Sequence, residues 1–343
     1  MMMQTIDNLL LGKILTVPGA EAAFRALFDE QGRKNAFGKP FLVLLQKRGE
    51  HPNELTGLVR TIRNTERRLV RHNLDVVDGC GTGGDGKESF NISTIACIIA
   101  AGAGAYVAKH GNRSVSSRCG SADLLESLGV KIDAEPRQML TALKTARIGY
   151  FHAPLYHPSF ANVQPIRKEL AQKRIKTIFN LTGPLVNPLC PKQQVIGVYR
   201  KDYVQVIAQT LRNLGLKRAF IFWNEDGFDE LTTTASSFVI ELSGRSLKQK
   251  LLSLSALGLR RAPQKTLQGK NSTFNKRIAL RILSGEDRSP RLDTVLLNAA
   301  AILYISGRAQ NLRDGIKLAQ RSVESGSALR ALKQLIRISH DTE

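Results

Sequence analysis

The feature that most constrains this chain is a run of glycines set between an apolar strand-like segment and an apolar helix-like one. In Val76–Thr94, VVDGCGTGGDGKESFNIST, five glycines fall between Gly79 and Gly86 and none follow. Glycine loses more backbone freedom on folding than any other residue, so such density needs a use. Between a strand end and a helix start, it lets successive backbone N–H groups turn into one concavity, where the helix N-terminus adds positive potential and unpaired donors. The stretch reads as a phosphate cradle. Gly81, Gly83 and Gly84 let a ligand approach the main chain, and Asn91, Ser93 and Thr94 place short polar groups on the first helical turn, able to cap it as well as to bind. No Gly-Lys-Ser/Thr follows at mononucleotide P-loop spacing, and the glycines do not form the dinucleotide pattern with a downstream acid.

The surrounding pattern fixes the fold class. Residues up to about His72 carry helical periodicity (AEAAFRALFDE, FLVLLQKRGEHPNELTGLVRTIRN) with no convincing strand. After them LDVVD, AYVAKHG, QQVIGVY, RAFIFW and SFVIEL read as strands. STIACIIAAGAG, SADLLESLGV, NVQPIRKELAQKRIKTIF and YVQVIAQTLRNLGL read as helices, and the chain is helical again from Asn275. SADLLESLGV is expected to run towards a further strand. The alternation predicts an α/β protein, a small all-helical unit (1–72) followed by a larger α/β unit (73–343) built on a parallel or mixed sheet flanked by helices.

Two further loops belong with the cradle. AKHGNRSVSSRCGSAD, Ala108–Asp123, follows an apolar strand, and ligands of open α/β sheets collect outside the carboxyl ends of the strands. There Lys109 and Arg113 can neutralise phosphate, while His110, Asn112, Ser114 and Ser121 offer neutral hydrogen-bonding groups. In NEDGFDELTT, Asp229 and Glu230 follow another strand; beside phosphate loops such a pair suits Mg²⁺, which takes a few carboxylates and completes its shell with phosphate oxygens and water. Spacing alone reads Arg167, in YHPSFANVQPIRKEL, as a helix-surface cation.

Composition narrows the partners. With 50 basic and 29 acidic residues the formal charge is +21, which favours anions without choosing between phosphates and nucleic acid. The window Leu242–Gly285 holds no acid, yet it lacks the interleaved aromatics of a base-stacking surface and reads as a solvated basic face. Four cysteines (Cys80, Cys97, Cys119 and Cys190) show no metal or redox spacing, and no run reaches the roughly 18 apolar residues of a membrane span. The expectation is a soluble, untargeted cytoplasmic protein with reduced thiols.

GTGGDG with SFNIST, KHGNRSVSS with GSAD, the HP, IRKEL and TIFNLTGPLVNP series, GFDEL, and the tail VLLNAAAILYISGRAQNLRDGIKLAQ together resemble the anthranilate phosphoribosyltransferases, in order from about Leu42 to Ile336. The resemblance implies a transferase of tryptophan biosynthesis that moves a 5-phosphoribosyl group from phosphoribosyl pyrophosphate to the amine of anthranilate. It also implies a mainly parallel mixed sheet in the fold shared with pyrimidine nucleoside phosphorylases, a helical domain completed by a segment near 163–185, and a homodimer formed through that domain. It places phosphoribosyl pyrophosphate on Gly81, Gly83, Gly84, Asp85, Ser89, Asn91, Ser93, Thr94, Lys109 and Ser121, and Mg²⁺ on Ser93, Asp229 and Glu230. Anthranilate falls to Gly81, His110, Asn112, Gly183 and Arg167, the last taking its carboxylate; Lys109, Asp229 and Glu230 are the implied catalytic residues. LAQKRIKTIFN is longer than the family's pattern, which bears on how Arg167 sits relative to Gly183.

Two other functions fit parts of the sequence. A nucleoside phosphorylase would share the fold and the glycine loop, but the paired carboxylates and KHGNR count against it. A nucleic-acid-binding relative without transferase activity is favoured by the charge of +21 and disfavoured by an intact set of site residues.

Overall fold

Apolar helices alternating with short β-rich runs must bury both faces of a sheet, and here they do. The computed structural model describes residues 2–29, 37–66, 69, 73–114 and 118–341. The boundary expected at His72 and the Val115–Ser117 part of the second loop lie outside the described residues. The strands are β1 Val76–Gly81, β2 Tyr106–Gly111, β3 Ile148–His152, β4 Gln193–Gly197, β5 Arg218–Asn224, β6 Ser237–Ser243 and β7 Ser246–Leu252. Among the described residues they form one 7-stranded sheet in the order β3-β2-β1-β4-β5-β6-β7. β1 to β5 are mutually parallel, and β6 and β7 add antiparallel to the far edge. The sheet is therefore mixed and mainly parallel.

Helices α1 Met2–Leu10, α2 Val17–Phe28, α3 Gly38–Arg48 and α4 Pro52–Thr65 precede the sheet. α5 Ile92–Gly102 follows β1; α6 Ser121–Ser127 and α7 Pro136–Thr145 separate β2 from β3; α8 Ala153–Tyr156 and α9 Phe160–Gln172 follow β3; α10 Asp202–Asn213 joins β4 to β5. α11 Ser272–Leu283, α12 Pro290–Ile305, α13 Leu312–Glu324 and α14 Ser327–His340 complete the described chain.

Side chains alternate across the sheet with period two, and each face has its own core. Phe220 and Phe222 of β5 join the core made by α5 to α7 and α11 to α14, whereas Ala219 and Ile221 join the one made by α2 to α4, α9 and α10. α5 is apolar all round, with Ile92, Ile95, Ile98 and Ile99 fully buried, each worth about 1.5–3 kcal/mol. That burial fixes its N-terminus beside the glycine loop. On the other face, Arg63 of α4 donates to the Leu185 carbonyl at 2.7 Å, tying the N-terminal helices to the turn that carries Gly183.

Two expectations are corrected. SADLLESLGV does not lead directly to a strand, because α7 intervenes before β3, a five-residue strand with Gly149 inside it. The helix carrying Arg167 ends at Gln172 rather than continuing to Phe179. The basic window is a solvated face as expected, and part of it is β7, an edge strand whose exposed Lys248 and Lys250 guard an open ladder against strand addition.

The strand order reverses between β1 and β4, since β1 leads out through β2 to β3 and β4 leads the other way to β5. A crevice opens at the carboxyl ends of strands flanking such a switch point. Its floor is the last matched pair of the ladder, Gly81 opposite Gly197.

Candidate active site

The cradle begins where β1 ends. Gly83, Gly84 and Gly86 take φ of +70°, +77° and +69°, the left-handed region that turns successive N–H groups to one side. Gly81 and Gly197 are required for a different reason. A Cβ on Gly81 would lie 2.0 Å from Asp229 Oδ2, and one on Gly197 would lie 1.9 Å from the Asp229 carbonyl oxygen. The missing side chains let the Asp229 segment descend onto the sheet end.

Asp229 and Glu230 take up the amides that the sequence assigned to an anion. The Gly83 N–H donates to Asp229 Oδ2 at 2.6 Å, and the Ser93 N–H, on the first turn of α5, donates to Glu230 Oε1 at 3.2 Å. Neighbouring side chains clamp the acids: Asn224 Nδ2 donates to the Glu230 carbonyl at 2.6 Å, and Asn298 brackets Leu231 through both its carbonyl and its N–H. Burial, followed by the charges of Asp85 and Glu230, pushes the Asp229 carboxyl well above the ordinary carboxylate range. Burial pushes Glu230 up to about 7, with Ser93 and Lys109 opposing. Asp85 keeps one buried oxygen, Oδ2, with no hydrogen-bond partner among the described residues.

Crowded acids with an orphan oxygen are a donor set short of positive charge, and hard oxygen ligands suit Mg²⁺. Among the described residues no three His, Cys, Asp or Glu side chains gather closely enough to cage an ion. The fit is therefore to a cation that takes one or two carboxylates and fills its shell from water and phosphate.

Lys109 lies beneath the cradle, 2% exposed, with Nζ donating to the Gly79 carbonyl at 3.0 Å. Burial alone would lower its pKa; the surrounding thiols and carboxylates of Cys97, Cys80, Asp78 and Glu230 outweigh it and hold the ammonium charged. Burial raises both thiols, Cys97 to about 12, so at neutral pH the carboxylates supply that compensation. Arg113 does not face the cradle as expected. It is paired with Asp123 at 3.0 Å and Glu126 at 2.8 Å on α6.

The second loop is stitched to the first. Asn91 holds the N-cap position of α5 without capping it; its Nδ2 donates to the Cys119 carbonyl at 3.0 Å and its Oδ1 accepts from Asn275 at 2.9 Å. Ser121 Oγ donates to the Asn112 carbonyl at 3.3 Å. Ser89 is fixed through its backbone bridge to Gln268, and Thr94 is buried in the first turn of α5.

The remaining residues form an aromatic chain. His110 Nδ1 lies 3.0 Å from the Gly183 carbonyl, which can only accept, so Nδ1 carries the proton and Nε2 accepts from His157 Nε2 at 3.2 Å. Both rings are neutral: burial holds His110 down to about 3 and His157 down to about 4. His157 packs on Phe160, Phe160 on Phe179, and the Arg167 guanidinium lies 5.4 and 5.3 Å from those two ring centroids. Arg167 has no carboxylate within ion-pairing distance among the described residues, and burial lowers its pKa. Arg167 is thus a half-buried cation on an aromatic floor rather than a solvated surface charge.

Contacts gather the expected residues into two groups, the cradle with Asp229 and Glu230, and His110 with Gly183 and, through His157, Phe160 and Phe179, Arg167. Sequence reasoning gave no role to Asp78, which accepts from the His110 N–H at 3.4 Å and from Asn187 Nδ2 at 2.9 Å, nor to His157 and Asn187. His157 stood in the HP pair and Asn187 in LVNP, but a single His or Asn carries no signal until its partners are known.

The family model described as "Glycosyl transferase family, a/b domain" matches residues 73–329. The chain is 39% identical to the anthranilate phosphoribosyltransferase of Rubrobacter xylanophilus, over 99% of this chain and 98% of that one. It is 42% identical to that of Exiguobacterium sibiricum, over 93% and 92%. The crystal structure of anthranilate phosphoribosyltransferase from Thermus thermophilus superposes with a TM-score of 0.90 at 36% identity, covering 98% of this chain and 99% of that one. The Saccharomyces cerevisiae enzyme, in complex with PRPP and Mg, superposes at 0.87 with 26% identity, covering 98% and 97%. With likeness of this extent along the whole chain, the chain belongs to the anthranilate phosphoribosyltransferase family.

Proposed function

We propose that the cleft above Gly81 and Gly197 is where this chain transfers a 5-phosphoribosyl group from phosphoribosyl pyrophosphate to the amine of anthranilate, releasing pyrophosphate, in tryptophan biosynthesis. The observation that carries the reading is the meeting of the Gly83 and Ser93 amides with buried Asp229 and Glu230 at the switch point of the sheet. The amides now given to the two carboxylates are the donors a diphosphate would take if a cation held the acids.

Gly81, Gly83, Gly84, Asp85, Ser89, Asn91, Ser93, Thr94 and Ser121 line the donor end in this reading. Ser93, Asp229 and Glu230 would hold Mg²⁺, which supplies charge neutralisation on the departing pyrophosphate. As the C1–oxygen bond breaks, positive charge grows on the ribose and negative charge on the leaving group, so fixed donors matter more than a strong base. Lys109 contributes from below: its buried ammonium offsets Asp78 and Glu230 and orients the Gly79 carbonyl. At the other end Arg167 would take the anthranilate carboxylate, with Gly81, His110, Asn112 and Gly183 around the ring. The aromatic amine is neutral at pH 7, and the neutral His110–His157 pair positions without having to deprotonate it.

We assign residues 1–72 and 163–185 to a helical unit that carries the acceptor, and the rest to the donor-binding unit. Dimerisation through the helical unit is supported by Leu10, Leu11 and Ile14, exposed at 65%, 71% and 51%. Among the described residues no helix is long and apolar enough to cross a membrane; we place the reaction in the cytoplasm. The test is product fluorescence with anthranilate, phosphoribosyl pyrophosphate and Mg²⁺. Product that disappears with chelator supports the reading; no product, together with tight salt-sensitive DNA binding, overturns it.

A further inference from the structure

We propose that Lys176 is a donor-positioning residue that latches the acceptor-carrying segment onto the phosphate cradle and lends its ammonium to the bound diphosphate. The inference rests on the reading of the cradle as a diphosphate site and adds to it a residue outside the glycine loop and the acid pair.

Lys176 lies in the stretch between α9, which carries Arg167, and the short helix Ile178–Leu181 that precedes Gly183. Its Nζ crosses to the cradle and donates to the Gly84 carbonyl at 2.6 Å, a contact between residues 92 positions apart. The same Nζ stands 3.7 Å from the centroid of Tyr199, which follows β4 just beyond the crevice floor. A Cβ on Gly84 would lie 3.6 Å from that nitrogen. Lys176 is exposed, yet its ammonium is held in contact with both a ring and a carbonyl.

Its charge is not spent there. An ammonium has three N–H donors, one of which meets Gly84, and among the described residues no carboxylate lies within ion-pairing distance of it. The acids that act on it through space are Asp85 and Asp229, both on the cleft. A cation held at the rim of an anion site, anchored by one donor and with others uncommitted, is placed to meet a phosphate oxygen. Because its backbone follows the helix that carries Arg167, the contact spans from that segment to the cradle.

The test is a kinetic split on the full chain. Lys176→Gln should raise KM for phosphoribosyl pyrophosphate roughly tenfold, weaken its calorimetric affinity equally, and leave kcat and the anthranilate KM within about twofold. Lys176→Arg should restore most of the loss, and the gap between wild type and Lys176→Gln should narrow as salt rises. If Lys176→Gln binds the donor as tightly as wild type, or if it loses thermal stability and kcat while donor affinity stands, the proposal falls. If wild type itself binds neither phosphoribosyl pyrophosphate nor inorganic pyrophosphate with Mg²⁺, the cradle reading falls and takes this proposal with it.

Discussion

Asp229 Oδ2 accepts the Gly83 N–H at 2.6 Å, and only the missing side chain of Gly81, whose Cβ would stand 2.0 Å from that oxygen, leaves it room to do so. Backbone shape and acid placement are therefore one feature.

Substituting either floor glycine should expose that dependence. Gly81→Ala must displace the Asp229 carboxylate, and Gly197→Ala must displace its backbone, costing about 1–3 kcal/mol by thermal or urea melts. Both should lower Mg²⁺-dependent turnover at least tenfold. Gly183→Ala meets nothing within 4 Å and should melt with wild type. Wild-type rates in Gly81→Ala would contradict the coupling.

Neutralising the acids should separate stability from activity. Burial and neighbouring negative charge raise Asp229 well above the ordinary carboxylate range and Glu230 up to about 7, so in the metal-free protein their cost builds as pH rises from that ordinary range, and for Glu230 it is complete above about pH 7. Asp229→Asn with Glu230→Gln should therefore stabilise the metal-free protein at pH 8 by about 1–3 kcal/mol, seen as a higher melting point, while abolishing most turnover. A variant that loses stability and keeps turnover would contradict both halves.

How much of this the sequence already carried follows from what each signal depends on. Gly83, Gly84 and the helix start are local signals, and the sequence pattern places the start within one residue of Ile92. The sheet also was legible where strands are apolar; β3 was not located and β7 not seen because Gly149 interrupts one and lysines alternate along the other. Contacts between distant segments left no trace. Arg113 reads as a phosphate ligand until Asp123 and Glu126 are seen beside it, and Arg167 reads as surface until Phe160 and Phe179 are placed beneath it.

Arg167 should discriminate between the two substrates. Its guanidinium lies over two rings with no carboxylate beside it among the described residues, and the planar fork suits a bidentate carboxylate. Arg167→Gln should raise the anthranilate KM at least tenfold and leave that for phosphoribosyl pyrophosphate within about twofold; Arg167→Lys should recover little. Equal effects on both constants would reassign the residue to domain packing.

The histidine pair should register in acid stability. Burial holds His157 to about 4 against an ordinary 6.5, so below pH 6.5 the unfolded chain takes up a proton that the folded one refuses. Stability must fall as pH drops through that window. His157→Gln removes this component and should flatten the fall between pH 6.5 and about 4.5 by about 2 kcal/mol relative to wild type, the carboxylates being common to both. Parallel pH profiles would mean that His157 is not buried neutral.

The central claim is that the Gly83–Ser93 amides and the Asp229–Glu230 pair form one Mg²⁺-dependent diphosphate site. It is tested most directly by calorimetric titration of phosphoribosyl pyrophosphate into the protein with and without Mg²⁺, beside the Asp229→Asn, Glu230→Gln variant. The account predicts stoichiometric binding that requires the cation and is lost in the variant; binding of equal strength without Mg²⁺, or undiminished in the variant, would contradict it.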